Sequence, residues 1–179
     1  MVRSVRTIGL SVVLLLGITS VSSAQFFVGA GPTFPNGDYS KYAKTGWMAS
    51  LGYGFDIGTN GLWVAPEFLY GSNSHDVTAS DVTDGDKTNL FGFDAALGYT
   101  MAREKSVRPY FFGLLGTLNH QWSPANGDSE NEWGFVWGVG AGLNFKLSEK
   151  MSLWGEARYM ARDHTNFIPL LFGLQFGGN

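Results

Sequence analysis

Residues Glu132 to Leu147 read EWGFVWGVGAGLNFKL, and their alternation decides the fold. Trp133, Phe135, Trp137, Val139, Ala141, Leu143, Phe145 and Leu147 fall on one face of an extended chain. Glu132, Gly134, Val136, Gly138, Gly140, Gly142, Asn144 and Lys146 fall on the other. A strand sends successive side chains to opposite faces, so one face is a ladder of large apolar groups. A soluble sandwich would put its polar face in water, but here the second face is mostly glycine. That suits a cramped interior, and the stretch reads inside-out, with large groups toward lipid and small or polar groups lining a narrow barrel.

Working outward, seven further segments are near the ~9–11 residues that a tilted strand needs to cross a bilayer. They are Gln25–Pro32, Gly46–Asp56, Leu62–Tyr70, Asn89–Ala102, Val107–Gln121, Met151–Arg162 and Phe167–Phe176. In Gly46–Asp56 the outward set is Trp47, Ala49, Leu51, Tyr53 and Phe55. In Asn89–Ala102 it is Phe91, Phe93, Ala95, Leu97, Tyr99 and Met101. In Val107–Gln121 the expectation is Tyr110, Phe112, Leu114 and Leu118 outward. Pro66 cannot donate to a ladder, and a bulge or a local break is expected there. Connections alternate between short turns (58–60, 103–106, 148–150) and longer polar loops (33–45, 71–88, 122–131), with 163–166 shorter. Short turns at one end and long loops at the other is the outer-membrane barrel pattern, and an even strand count puts both termini on the periplasmic side.

Composition agrees. The chain has 179 residues, enough for one domain, with 15% aromatics and 25 glycines. Tryptophan and tyrosine suit membrane interfaces. Cysteine is absent, which removes disulfides, thiol nucleophiles and thiolate metal sites together. A net charge of −3 without a basic run leaves no footprint for nucleic acid. Arg3 and Arg6 precede a short apolar core, Ile8 to Ile18, and then Ser22-Ser23-Ala24. That is the form of a signal peptide over residues 1–24, cleaved after Ala24, which leaves a barrel over 25–179. Loss of the two arginines takes the net charge to −5.

Several segments resemble the small OmpA/OmpX-like outer-membrane β-barrel family. Arg108-Pro109-Tyr110-Phe111-Phe112-Gly113-Leu114-Leu115-Gly116 is similar to its fifth strand, and Gly138–Phe145 (GVGAGLNF) to its sixth. Leu153–Tyr159 (LWGEARY) resembles the seventh and Phe172–Phe176 (FGLQF) the closing strand. The resemblance covers the mature chain and implies an eight-stranded antiparallel transmembrane β-barrel, integral to the outer membrane. It further implies partners in outer-membrane lipid, lipopolysaccharide and the barrel-assembly machinery. Members often end on the aromatic residue that this machinery reads, whereas here Phe176 is followed by Gly177-Gly178-Asn179. The family includes adhesins and structural proteins.

The candidate site residues lie on inward positions: Glu67, Asp94, Lys146, Glu156 and Arg158. An eight-stranded barrel is just wide enough for side chains to fill it, and charges there must pair. A polar plug centred on Arg158, with Glu67, Glu156 and Asp94, is the expectation, and a gated pore or carboxylate pair is the alternative. Asp163-His164-Thr165 resembles the His/Ser strand of lipid A deacylases, but has threonine for the serine and a different spacing. His75 and His120 read as loop or rim residues. Asp76, Asp81, Asp84 and Asp86 read as a solvated loop, since EF-hand spacing is absent. Trp122 and Trp133 read as an interface girdle, and Trp63 and Trp154 as inward packing at the periplasmic end.

The function expected from the sequence is a non-enzymatic outer-membrane protein, structural or adhesive through its loops, with an unknown extracellular partner. No cofactor, metal or catalytic residue is assigned. The competing readings are a narrow pore, a lipid-modifying outer-membrane enzyme and a soluble lipocalin-like barrel. The last needs an apolar interior, against which the small inner faces argue.

Overall fold

A computed structural model describes residues 24–76, 83–125, 129–163 and 165–177. The proposed signal segment lies almost wholly outside these residues. The strands are β1 (Ala24–Asn36), β2 (Gly46–Ile57), β3 (Leu62–Ser74), β4 (Lys87–Thr100), β5 (Val107–Ser123), β6 (Glu130–Lys146), β7 (Met151–Arg162) and β8 (Thr165–Phe176). Each pairs antiparallel with its sequence neighbour, and β8 pairs with β1, so the sheet closes and has no free edge. A short 3₁₀ turn, Gly37–Lys41, follows β1.

The register fixes the barrel's size. Ala24 faces Phe55, Phe55 faces Val64, Val64 faces Leu97, Leu97 faces Gly113, Gly113 faces Val139 and Val139 faces Tyr159. The β7–β8 register carries Tyr159 to the level of Ile168, which faces Phe34. One circuit that leaves from Ala24 thus returns at Phe34, ten residues further along β1. With a rise of ~3.3 Å and a spacing of ~4.8 Å, that advance sets the strands roughly 40° from the axis, at a backbone radius of about 8 Å.

The inside-out pattern holds on seven strands. Leu51, Tyr53, Phe93, Leu97, Phe135, Val139 and Phe172 are all exposed on the outer face. Outward aromatics pair across strands at two levels, Trp47–Tyr70 and Trp137–Tyr159 toward the loop end, Phe26–Tyr53 and Tyr99–Phe111 toward the turn end. The fifth strand corrects the sequence expectation. Phe111 and Leu115 face out, while Phe112, Leu114 and Leu118 are buried inside and Tyr110 reaches an interior carboxylate. Both faces of β5 are large and apolar, so alternation alone does not choose between them. A one-residue slip inverts every side chain, and neighbouring glycines settle the choice. A Cβ at Gly140 would collide with the Phe112 ring, and one at Gly142 with Tyr110.

Those collisions explain the glycine-rich inner faces generally. Trp63 lies over Gly98, Trp154 over Gly29 and Gly173, and Arg162 over Gly134. Glycine there makes room for a large group from the next strand. The interior is therefore not uniformly small and polar, as the sequence suggested. On the loop side of its middle lies an apolar core in which Met48, Leu69, Leu90, Leu114, Leu118, Met160, Phe167 and Leu171 are all at most 1% exposed.

At Pro66 a local break occurs without a bulge. β2–β3 partners are continuous from Trp47–Ser72 to Gly52–Glu67 and resume at Phe55–Val64 in the same register, while the β4 side runs unbroken through Pro66–Ala95. Strands also extend beyond the apolar stretches at the loop end, as at Asn73-Ser74, where polar residues continue the ladder. The last connection is tighter than expected. Arg162 faces Thr165, so the ladder runs to within two residues of the reversal, and Asp163 adopts φ 43°, a region that aspartate tolerates.

Candidate functional site

Inward positions of β3, β4 and β7 meet halfway along the lumen and form an ionic layer. Arg158 is 4% exposed and its guanidinium grips Glu67 with both terminal nitrogens, Nη1 to Oε1 and Nη2 to Oε2, the latter at 3.0 Å. Its Nε donates to Glu156 Oε1, and the other oxygen of Glu156 accepts from Tyr110 Oη at 2.7 Å. The guanidinium also stands 5.4 Å from the centre of the Phe112 ring. Glu67 and Asp94 face each other across β3 and β4. Asp94 is buried and neither of its carboxylate oxygens has a hydrogen-bond partner. The structure thus brings together Glu67, Asp94, Glu156 and Arg158. Lys146 stands apart, exposed where β6 ends, and this corrects its place in the expected network. A lysine at a strand end reaches water at little cost, whereas one at the ionic layer would have to pair.

Sequence reasoning missed Tyr110 and Phe112 as members of this layer because it turned β5 outward. The signal available was Gly140 and Gly142, two small inward residues spaced to receive two large ones from β5.

On the turn side of the layer lies a cavity of about 120 Å³, bounded by Trp63, Phe27 and Trp154 and by the mouth residues Arg103, Arg108, Asn144 and Gln175. Arg103 pairs with Asp56 at 2.6 Å. On the loop side the apolar core follows, and then a polar belt. There Asn73 Nδ2 donates to Thr33 Oγ1 at 3.0 Å and to the Lys44 carbonyl at 2.8 Å, and His75 Nε2 lies 2.8 Å from Thr88 Oγ1.

The loops close over that belt. Tyr39, on the 3₁₀ turn, is fully buried, with its ring against Tyr42 and His120. Ala43 bridges His75, Lys44 N donates to Ser74 O at 2.8 Å, and Asp76 N donates to Tyr42 O at 2.7 Å. Asp86 accepts from the backbone N–H of Thr83 at 3.0 Å and of Ala125 at 2.8 Å, which ties the third connection to the fifth. Those two donors hold the Asp86 carboxyl below its ordinary range. Burial pushes the Tyr39 phenol far up and lowers the imidazole of His75. His75 and His120 are thus packed inside the mouth and are not exposed rim residues. Trp122 also corrects the expectation. It sits half-buried on an inward position with its indole N–H unpartnered, while Trp133 alone faces out. His164 and Asp81 lie outside the described residues. Among the described residues no three histidine or carboxylate side chains converge as a metal site would require.

A family model described as outer membrane protein beta-barrel domain matches residues 9–176. The chain belongs to that family. The turn end is therefore the periplasmic end and the loop end the extracellular one, and the protein is an integral outer-membrane barrel. Among solved structures it is similar to Neisserial surface protein A, at a TM-score of 0.68 and 16% identity over 86% of this chain and 96% of that one. It is also similar to Ail, the attachment invasion locus protein of Yersinia pestis (0.63, 17%, covering 87% and 97%). The outer-membrane enzyme PagL shares the fold at 0.50 and 15%, covering 85% of this chain and 98% of that one. A search among curated proteins finds no match.

Proposed function

We propose that this barrel is a non-enzymatic surface protein that acts through its extracellular loops, with a lumen closed to passage. The observation that carries the reading is the apolar layer between the ionic layer and the loop cap. Leu69, Leu90, Leu118, Met160 and Phe167 are each at most 1% exposed, and Tyr39 seals them from above. Water and ions crossing such a layer would lose their hydrogen bonds without replacement. Resemblance in fold to an attachment protein and a surface protein fits this reading.

The loops spanning 37–45, 75–86, 124–129 and 163–164 carry seven aspartates against two lysines. That charge favours a basic partner, or contact with lipopolysaccharide phosphates through bridging cations, over a sulfated or phosphorylated one. The barrel-assembly machinery and the surrounding lipid are its remaining partners.

Resemblance in fold to PagL raises the enzymatic alternative. Such an enzyme needs a nucleophile and a base within hydrogen-bond reach, at a place where lipid can enter. The one hydroxyl–imidazole pair found among the described residues, Thr88 with His75, is sealed in the mouth with Thr88 fully buried. Thr165 is buried as well.

The test is expression in a Gram-negative host, beside a variant whose 75–86 and 124–129 loops are shortened to tight turns. Adhesion to host-cell and matrix-coated surfaces should rise with the full chain and return to background with the variant, while lipopolysaccharide keeps its acyl chains. Loss of an acyl chain on expression would replace this reading with the enzymatic one.

A further inference from the structure

Two residues that line the periplasmic cavity, Trp154 and Arg108, each carry a buried donor without an acceptor. Trp154 is 5% exposed, yet its indole N–H has no hydrogen-bond partner. Arg108 Nε–H is buried and likewise unpartnered. Both residues line the same cavity, and they sit on one register row, since Arg108 faces Asn144 and Asn144 faces Trp154. The acceptors that line the floor are already engaged. Both oxygens of Glu67 are taken by Arg158, and those of Glu156 by Arg158 and Tyr110. At the mouth Asp56 is held by Arg103. Arg108 Nη2 reaches only neutral oxygens, Asn144 Oδ1 at 2.7 Å and Ser152 Oγ at 3.0 Å. Among the described residues Arg108 has no ion-pair partner, so the mouth holds two guanidinium groups against one carboxylate.

A buried indole N–H and a buried guanidinium N–H without acceptors each carry a desolvation cost that an incoming acceptor removes. A charged acceptor on Arg108 gains more than a neutral one. A water needs roughly 10–15 Å³ of such space, so about 120 Å³ admits several waters or a ligand of a few heavy atoms. From these we infer that the periplasmic vestibule is a binding site for a small carboxylate-bearing solute. Its carboxylate accepts from Arg108 Nε–H and Trp154 Nε1–H, on the side of the barrel opposite the loops.

The test is a titration of the folded, ¹⁵N-labelled mature chain in lipid nanodiscs with sodium acetate, against sodium chloride at equal ionic strength. The readout is the indole N–H resonance of Trp154, assigned through Trp154→Phe. The outward indoles of Trp133 and Trp137 serve as internal controls. A saturable shift of the Trp154 signal alone is expected, weakened at least tenfold in Arg108→Gln. Asn144→Asp places a carboxylate beside Arg108 in a chain that keeps its cation, and it should abolish the response even if Arg108→Gln does not fold. A shift that is absent, that grows linearly without saturation, or that persists unchanged in Asn144→Asp would overturn the assignment.

Discussion

Removal of Arg158 is the sharpest test of how the lumen is filled. The side chain offsets two buried carboxylates, Glu67 and Glu156, and is 4% exposed. Arg158→Met leaves both acids, with Asp94 beside them, and no cation in the layer. Breaking a buried ion pair by deleting one partner costs about 3–5 kcal/mol, and two partners are orphaned here, so the upper end of that range is expected. The charges themselves are not what stabilises the barrel. Two ions taken out of water lose several kcal/mol each, which their attraction only about repays. Glu67→Leu, Glu156→Leu, Asp94→Val and Arg158→Met together, with Tyr110→Phe because its hydroxyl would lose its acceptor, should therefore recover wild-type stability or exceed it by about 1–4 kcal/mol. The assay is urea unfolding in lipid vesicles, followed by heat-modifiable gel mobility and tryptophan fluorescence. A single variant within about 1 kcal/mol of wild type, or a quintuple variant as weak as the single one, would refute a layer held by mutual charge compensation.

Lysine at Val139, an outer-face residue midway along β6, should cost about 2–4 kcal/mol, and lysine at Leu147, past its periplasmic end, about 0–1, by the same unfolding assay. Gly138→Lys should fail to fold at all, because even a Cβ there would stand 2.5 Å from the Tyr159 carbonyl. The Asp86 clamp has a defined pH sign. Its folded carboxyl is depressed by two backbone N–H donors, so the stability it supplies is in place above the unfolded value of roughly 4 and is lost as pH falls through the folded one. The amide resonance of Ala125 should titrate with a midpoint below that value and show no such step in Asp86→Asn. A midpoint at or above it would mean that the clamp does not form.

The strands with one clearly apolar face, β2, β4 and β6, were legible from alternation, because a tilted barrel wall demands it of every strand that separates lipid from lumen. The same logic placed Glu67, Glu156 and Arg158 inward, since charges on lipid-facing positions would be costly. What alternation could not decide was β5, where Phe111, Phe112, Leu114 and Leu115 make both faces apolar. Its direction depends on glycines of β6 that lie more than twenty residues away in sequence. Lys146 was misplaced because its inward parity persists past the point where the wall meets water. The loop cap was not legible at all. Tyr39 closes the mouth only because Ala43 bridges His75 and Asp86 binds the amide of Ala125, contacts between loops whose polar composition signals nothing beyond exposure.

Planar-bilayer recording with the purified, refolded mature chain tests the closed lumen most directly. The apolar layer between the Arg158 cluster and Tyr39 predicts a flat current at voltages that leave the bilayer itself intact. Stable stepwise openings of the wild-type protein would contradict it and make the barrel a pore.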